Sequence, residues 1–301
     1  MKESVPPAAG ALNKGRARLD FAWPIDLRLT VAGHGWAHLE PWRWDPEAGR
    51  LSRAERFADE TGVVAVHQSD LRSVAIEWEG TGAAAMPAVL QRVRRWLSAE
   101  WDPTAAIAAL LTDLADEAAL IERGGGRLLR GSSFYEDFVK TVLTINTSWS
   151  STCRMTAALV AEPGGGVFPG PEEVLGYGEG RLRERAKLGF RAPTLIGATD
   201  RMLRDGVIDA AGCGDPDRLD HDYLTSLKGI GPYAAAHCRM LLHDFARIPV
   251  DSEVLAYLRR QHDAIGAAEF VAGRGNGPYV ALGYKLTRLR EKPGGGKGAV
   301  E

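Results

Sequence analysis

The amino-acid sequence predicts an α+β protein in which a small antiparallel β-sheet domain precedes a larger all-α domain. The chain has 301 residues, and at about 150 residues per domain this length predicts two domains. Strand-like apolar patterns are confined to the first 80 residues, whereas nearly all later periodicity is helical. The predicted divisions are a flexible tail at 1–19, the sheet domain at 20–100, the all-α domain at 101–290 and a second tail at 291–301.

Four short segments make up the predicted sheet. Residues 25–31 alternate between apolar and polar side chains, which is the pattern of a half-buried strand. The segment Gly33-His34-Gly35 indicates a turn, and the aromatic-rich residues 37–44 that follow are predicted as a second strand. Segments 62–66 and 74–78 look like two further strands, and short strands at this spacing indicate antiparallel pairing.

The helical pattern begins near Val89 and continues to the C-terminal region. Asp102 followed by Pro103 is typical of an N-cap and a first helical residue, so we predict a helix over 104–122. Further helices are predicted over 134–160, 171–175, 180–187, 191–205, 217–227, 232–244 and 252–261, with one more after Pro278.

Composition excludes several classes of protein. A hydrophobic content of 45% and a charged content of 25% are ordinary for a globular protein, so the chain is neither largely disordered nor fibrous. It has no run of about 18 apolar residues, so we expect no membrane helix and no membrane partner. The N-terminus lacks the apolar core of a secretory signal, which favours a cytoplasmic location. Cys153, Cys213 and Cys238 form no CxxC pair, so we expect no zinc site and no iron–sulfur cluster.

The most specific segment is LKGIGPY at residues 227–233, between two predicted helices. Its glycines permit a tight turn and the close approach of another backbone, and Pro232 suits the first position of the second helix. The N–H groups of Gly229, Gly231 and Tyr233 would point out of the turn, where they offer a site for an anion. The same segment is also typical of a corner between helices that binds no ligand.

A second segment, IPVDSEV at residues 248–254, places Asp251 18 residues after Tyr233. Asp251 is predicted as the N-cap of the following helix, and capping is the commonest role for such an aspartate. A glycine hairpin followed at this distance by an aspartate is much less common than either feature alone.

These features resemble the helix-hairpin-helix DNA glycosylase superfamily, above all its 3-methyladenine and 8-oxoguanine DNA glycosylase branches. The resemblance spans residues 21–290 and implies that the all-α domain is a helix-hairpin-helix glycosylase domain. It is carried by RLLRG at 127–131, FYE at 134–136, NTSW at 146–149, KLGFRA at 187–192 and the hairpin with its aspartate.

The resemblance implies a role for each of these features. A glycosylase extrudes its target nucleotide into a pocket, and Asp251 would be the catalytic carboxylate that stabilises positive charge on the sugar as the base departs. The residues that would bind the DNA backbone are Gly229, Ile230, Gly231, Tyr233 and Arg191. The family needs no cofactor for this chemistry, but its hairpin often holds Na⁺ or K⁺ on main-chain carbonyls. The matching carbonyls here belong to Thr225, Leu227 and Ile230.

Tyr233 is the main departure from the 8-oxoguanine branch, where a lysine at this position forms a Schiff base with the sugar. Tyrosine forms no imine, so the expected product is an intact abasic strand. The alkylation branch has an aromatic residue here that stacks on electron-poor bases. His237 shares the helix face of Tyr233, and both are predicted to line the base pocket with Trp149, although His237 and Trp149 also suit ordinary packing. The predicted wedge residues Asn146 and Thr147 are polar, as in the 8-oxoguanine branch.

Local charge supports DNA as the partner although the net charge is −2. Residues 181–191 carry five basic side chains against Glu184, a local charge of +4, and Arg288, Arg290 and Lys292 form a second basic stretch. We predict a monomeric, monofunctional DNA N-glycosylase that acts on double-stranded DNA and excises an alkylated purine. Two alternatives stay open: an oxidised-purine glycosylase without lyase activity, and a non-catalytic hairpin protein that binds DNA.

Overall fold

The computed structural model describes residues 14–58, 60–261 and 277–291. Within these residues, five antiparallel strands form one sheet in the order β1-β5-β4-β3-β2. Their bounds are Lys14–Asp20 for β1, Trp42–Asp45 for β2, Arg50–Phe57 for β3, Glu60–Asp70 for β4 and Ser73–Glu79 for β5. The predicted segments 62–66 and 74–78 are confirmed as the centres of β4 and β5.

The first predicted strand is wrong, because residues 25–31 lead into helix α1, Leu27–Gly33. The side chain of Asp26 caps this helix by accepting the N–H of Leu29 at 2.9 Å. Leu27, Thr30 and Val31 are its buried residues, and their i, i+3, i+4 spacing is helical. The second predicted strand is only partly correct, since residues 35–38 form a 3₁₀ helix and β2 begins at Trp42.

The sequence analysis missed two strands. Strand β1 begins at Lys14, inside the predicted tail, and pairs with β5 at the edge of the sheet. Strand β3 carries charged side chains that the pattern did not mark as buried. Arg53 and Glu55 are only 2% and 3% exposed, because Arg53 forms a bidentate pair with Glu136 across the two structural layers.

The rest of the described chain is mainly helical, and two predicted helices are each divided in two. Residues 104–122 form two helices, and residues 134–160 are interrupted by a loop at 144–148 that ends where Ser148 caps the next helix. The bounds are Met86–Trp96 for α2, Thr104–Leu110 for α3, Ala115–Glu122 for α4, Phe134–Leu143 for α5, Trp149–Ala161 for α6, Pro171–Tyr177 for α7, Glu179–Glu184 for α8, Arg191–Arg204 for α9, His221–Ser226 for α10, Pro232–Leu241 for α11, Ser252–Gln261 for α12 and Val280–Glu291 for α13.

The buried side chains form two hydrophobic cores that meet along α11. The first core joins the sheet and α1–α4 to residues of α12 and α13, while the second lies among residues 134–238. Ala234 and Ala235 of α11 belong to the second core, whereas Met240 and Leu241 at its end belong to the first. One helix therefore crosses the junction. No helix in the described part of the chain is long and apolar enough to span a bilayer.

Candidate functional site

The glycine hairpin links α10 to α11 as the sequence predicted. Its turn is closed by the N–H of Ile230, which donates to the carbonyl of Leu227 at 3.0 Å. Gly229 has φ +87°, and a Cβ there would lie 2.5 Å from Oγ1 of Thr194, so this position requires glycine. Gly231 is exposed, and a Cβ there would meet nothing within 4 Å. The open start of α11 therefore faces solvent, where an approaching phosphate would meet it.

Asp251 is half-buried and caps α12, as predicted. Its Oδ1 accepts the N–H of Val254 at 2.8 Å and that of Glu253 at 3.0 Å. These bonds hold the carboxylate at the first turn of the helix.

The structure brings Asp251 close to α11 and α13. Its charge acts on Tyr233 at the start of α11 and on Tyr284 and Lys285 of α13. Burial raises the pKa of Tyr233 to about 12, and its hydroxyl is 3.0 Å from Oγ1 of Thr144. The hydroxyl is therefore neutral at physiological pH. Tyr284 and Lys285 are site residues that the sequence analysis missed.

An aromatic cluster continues from Tyr233 into the junction between the cores. The ring centroids of Tyr233 and His237 are 5.8 Å apart, which confirms that they share a helix face. Trp36 lies 5.1 Å from His237 and 4.2 Å from His34, measured between ring centroids. The indole N–H of Trp36 donates to Oδ1 of the buried Asp137 at 2.9 Å, which fixes the ring. His34 and Trp36 come from the first core. The sequence analysis missed them, because the GHGW segment at residues 33–36 was interpreted only as a turn before a strand.

His34 and His237 share a hydrogen bond between their Nε2 atoms, which are 2.8 Å apart. One imidazole must donate and the other accept, so the pair fixes complementary tautomers. Burial, helped by the positive charge of Lys285, holds the pKa of His34 well below its ordinary value of 6.5. His34 is therefore a neutral group at the back of the site.

The predicted wedge residues lie on the loop between α5 and α6. Asn146 is exposed with φ +46°, a left-handed conformation that asparagine tolerates better than most residues. Arg191 is only 7% exposed. Its Nε donates to the carbonyl of Ile145 at 3.1 Å, and its Nη2 donates to that of Asn146 at 3.1 Å. Arg191 thus supports the loop from behind, and its contact with the DNA backbone stays a prediction.

Two aromatic side chains flank this loop. Trp149, a predicted pocket residue, lies against Gly35, where a Cβ would be 3.0 Å from its ring. It is half-buried against the first core, so it packs beside the GHGW segment. Phe190 is 57% exposed next to Arg191 and was missed; an apolar residue at an exposed position of KLGFRA was its only sequence signal.

The two basic stretches differ in how far their charges are paired. Lys187 and Arg185 are exposed, and Arg185 has a distant ion pair of 3.8 Å with Glu162. Arg288 is paired with Glu291, and Arg290 is paired with Asp116 and Glu117. Lys292 lies outside the described residues. The segment before α9 is therefore the stronger candidate for DNA contact.

Comparisons with known proteins support the fold. No family model and no curated protein matches the sequence. The solved structure of 3-methyladenine DNA glycosylase from Archaeoglobus fulgidus matches with a TM-score of 0.68 at 17% identity, over 91% of this chain and 98% of that one. The 8-oxoguanine glycosylase/lyase of Clostridium acetobutylicum matches with a TM-score of 0.66 at 16% identity, over 92% and 97% of the two chains. This chain therefore has the fold of these DNA glycosylases over most of its length.

Proposed function

We propose that this protein is a DNA N-glycosylase that flips a damaged or modified base out of double-stranded DNA and hydrolyses its N-glycosidic bond in base excision repair. The observation that carries the proposal is that the carboxylate of Asp251, held at the start of α12 by the N–H of Val254, acts electrostatically on Tyr233 at the start of the hairpin helix α11. Base excision needs charge stabilisation at the sugar, an aromatic face for the base and a contact for the phosphate. A carboxylate, an aromatic cluster and an exposed helix start meet these needs.

In the proposed reaction, Asp251 faces the sugar of the flipped nucleotide. As the C1′–N bond breaks, the base leaves with the bonding electrons and the sugar acquires oxocarbenium character. The Asp251 carboxylate stabilises this positive charge from a position fixed by the N–H groups of Glu253 and Val254. Water then adds to C1′, loses a proton to solvent and leaves an abasic site.

Base release on this proposal is monofunctional, because the hairpin offers no amine. Tyr233 takes the position of the lysine, and a neutral hydroxyl with a pKa of about 12 forms no imine. The direct product is therefore the abasic sugar formed by water.

An alkylated purine is the substrate class that the aromatic cluster favours. Tyr233 at the start of α11 supplies an electron-rich ring, and such a ring attracts electron-poor bases more strongly than normal ones. The exposed, polar Asn146 on the wedge loop instead favours an oxidised purine, which is the second candidate.

Three further expectations belong to the same proposal. A monomer that acts in the cytoplasm in association with the nucleoid would have direct access to duplex DNA. The carbonyls of Thr225, Leu227 and Ile230 would hold a Na⁺ or K⁺ facing the phosphate. The Leu227 carbonyl already accepts one hydrogen bond from Ile230, which leaves one lone pair for such an ion.

The test is a base-release assay on duplexes that differ only in one central base. Duplexes containing 3-methyladenine-type, 7-methylguanine or 8-oxoguanine lesions are compared with an undamaged duplex as the matched control. We expect release of an alkylated purine and none from the undamaged duplex. Preferred release of 8-oxoguanine would favour the second candidate, and DNA binding without release of any base would favour a non-catalytic protein.

A further inference from the structure

His34 and His237 form a buried pair to which base release, as described above, gives no task. His34 is the residue that follows α1, and His237 lies on α11, one turn after Tyr233. Their Nε2 atoms are 2.8 Å apart, and the two residues are only 3% and 7% exposed. Water does not compete for a hydrogen bond at this depth, so the bond is strong and its partners keep fixed roles.

Trp36 holds the two imidazole rings in place. Its ring centroid is 4.2 Å from that of His34 and 5.1 Å from that of His237. The indole is itself fixed, because its N–H donates to Oδ1 of Asp137 at 2.9 Å. Movement of either imidazole would open a gap against a fixed side chain. The protein itself therefore sets the geometry of the pair.

The direction of the hydrogen bond follows from the backbone on the other side of His34. A Cβ built on Gly33 would lie 3.5 Å from the carbonyl oxygen of Arg127, so the two segments run side by side. Two residues further on, the Leu129 backbone raises the pKa of His34, which is the effect of a carbonyl acceptor beside a ring N–H. Nε2 of His34 is engaged by His237, so the proton that this carbonyl favours is the one on Nδ1. Nε2 of His34 then accepts the bond, and Nε2 of His237 donates it.

We propose that His34 is a positioning residue for base recognition, which holds His237 in the tautomer with its proton on Nε2. The inference rests on the proposed function, because it needs the face of α11 that carries Tyr233 and His237 to receive the flipped base. In this tautomer Nδ1 of His237 has a lone pair and no proton, so the ring is neutral and Nδ1 has only the character of an acceptor. A neutral imidazole beside Tyr233 does not repel the positive charge of an N-alkylated purine, whereas an imidazolium would.

The first experiment reads the tautomer in the full chain without any substrate. Long-range proton–nitrogen NMR at neutral pH distinguishes protonated from unprotonated ring nitrogens, and His237→Gln identifies the signals of His237 by their loss. We expect the proton of His237 on Nε2 and that of His34 on Nδ1. In His34→Phe the signals of His237 should shift toward the average of two tautomers. A proton on Nδ1 of His237 in the unaltered protein overturns the proposal, and this measurement depends on the folding of no His34 variant.

The second experiment compares His34→Gln with His34→Phe in single-turnover base release from a duplex with an alkylated purine. The glutamine amide reaches about as far as Nε2 of histidine, and its oxygen can accept the N–H of His237. Phenylalanine fills the volume and leaves that N–H without an acceptor. We expect His34→Phe to slow base release by about tenfold or more, with unchanged affinity for undamaged duplex, and His34→Gln to stay within about threefold of the unaltered protein.

His38→Phe is the matched control, because His38 is exposed on the same segment and should release the base normally. Urea unfolding of every variant separates a loss of stability from a loss of base recognition. Normal base release by His34→Phe, or equal losses in the phenylalanine and glutamine variants, overturns the proposal. If the unaltered protein releases no base, the proposed function fails and the role of His34 fails with it. Normal base release together with the opposite tautomer overturns the role of His34 alone.

Discussion

Lys140 and Lys285 are both withdrawn from bulk water, but their surroundings differ. The side chain of Lys140 is fully buried, with its Nζ 2.7 Å from Oε1 of Glu136. Arg53 binds the same carboxylate with two bonds of 2.9 Å. Lys285 is half-buried, and the Asp251 carboxylate acts on it electrostatically. Burial lowers the pKa of both lysines, and in both a carboxylate opposes the shift.

The difference separates a charge held in a closed network from one that is not. Glu136 lies on α5, in the second core, and Arg53 lies on β3 of the sheet, next to the first core. The network therefore joins the sheet to the helices of the second core. Burial alone would raise the pKa of Glu136, but the charges of Arg53 and Lys140 outweigh it and hold the pKa well below 4.5. Such a closed network has no capacity for a ligand. Lys285 belongs to no such network among the described residues.

The largest expected effect is on stability and comes from breaking the closed network. Lys140→Met leaves Glu136 with one partner fewer, and removing one member of a buried pair costs about 3–5 kcal/mol. Lys285→Met removes no close pair, so its cost should stay within about 1 kcal/mol. Urea unfolding of the two methionine variants measures the difference directly. Equal losses of unfolding free energy in the two variants would mean that Lys285 is structural, as Lys140 is.

Asp251→Asn should give the next largest effect, this time on chemistry alone. Asparagine keeps an oxygen for the N–H of Val254 and caps about as well as aspartate. Loss of one strong transition-state stabiliser should slow single-turnover base release by about 100-fold or more. The matched control is Asp26→Asn, since Asp26 caps α1 in the same way. Unchanged base release in the Asp251 variant would remove the carboxylate from the proposed mechanism.

The residues predicted from sequence and those missed differ in the range of the forces that position them. The hairpin and Asp251 are set by local chemistry, namely a positive φ at Gly229 and an N-cap, and local patterns report both. His34 is hydrogen-bonded to a residue 203 positions away, and Lys285 reaches the site from a helix with no motif of its own. No periodicity encodes such contacts, because they depend on how the two cores pack.

The same limit explains the errors in the fold. Residues 25–31 alternate in polarity, which is typical of a strand. The Asp26 cap and the packing of Leu27 and Val31 stabilise a helix there instead. The sequence did not indicate strand β3, because an arginine such as Arg53 is typical of a surface position unless its buried partner Glu136 is known. Burial of paired charges across a layer cannot be read from either segment alone.

A smaller effect concerns His34. The positive charges of both lysines lower its pKa, and Lys285 does so more strongly than Lys140. The folded protein keeps His34 neutral, whereas the unfolded chain binds a proton below pH 6.5. Stability from this group is therefore complete above pH 6.5 and is lost as the pH falls, by up to about 1.4 kcal/mol per pH unit. Lys285→Met removes the larger of the two charge effects that lower the pKa of His34. The loss of stability at acid pH should therefore be shallower in Lys285→Met than in Lys140→Met.

Unfolding at a series of pH values below 6.5 tests this order, and a proton NMR titration of His34 reports the pKa itself. His243 also has a pKa held well below 6.5 by burial, and its contribution cancels when variants are compared. The groups that face His34 are His237, Lys285 and Lys140, with the Leu129 carbonyl raising its pKa slightly. A steeper acid loss in Lys285→Met would place the lysine farther from the pocket than we infer.

The smallest expected effect is that of Tyr233→Phe, which removes only a hydroxyl from the hairpin helix. The change removes the bond to Oγ1 of Thr144 and keeps the ring, so the cost in stability should be about 0.5–1.5 kcal/mol. Thr144→Val removes the other partner, and the double variant should cost little more than either single one. Borohydride should trap no covalent complex on abasic DNA with the unaltered protein or with Tyr233→Phe, since a hydroxyl forms no imine. Efficient trapping at rates that match base release would contradict monofunctional base release and show that an amine of the protein reaches the sugar.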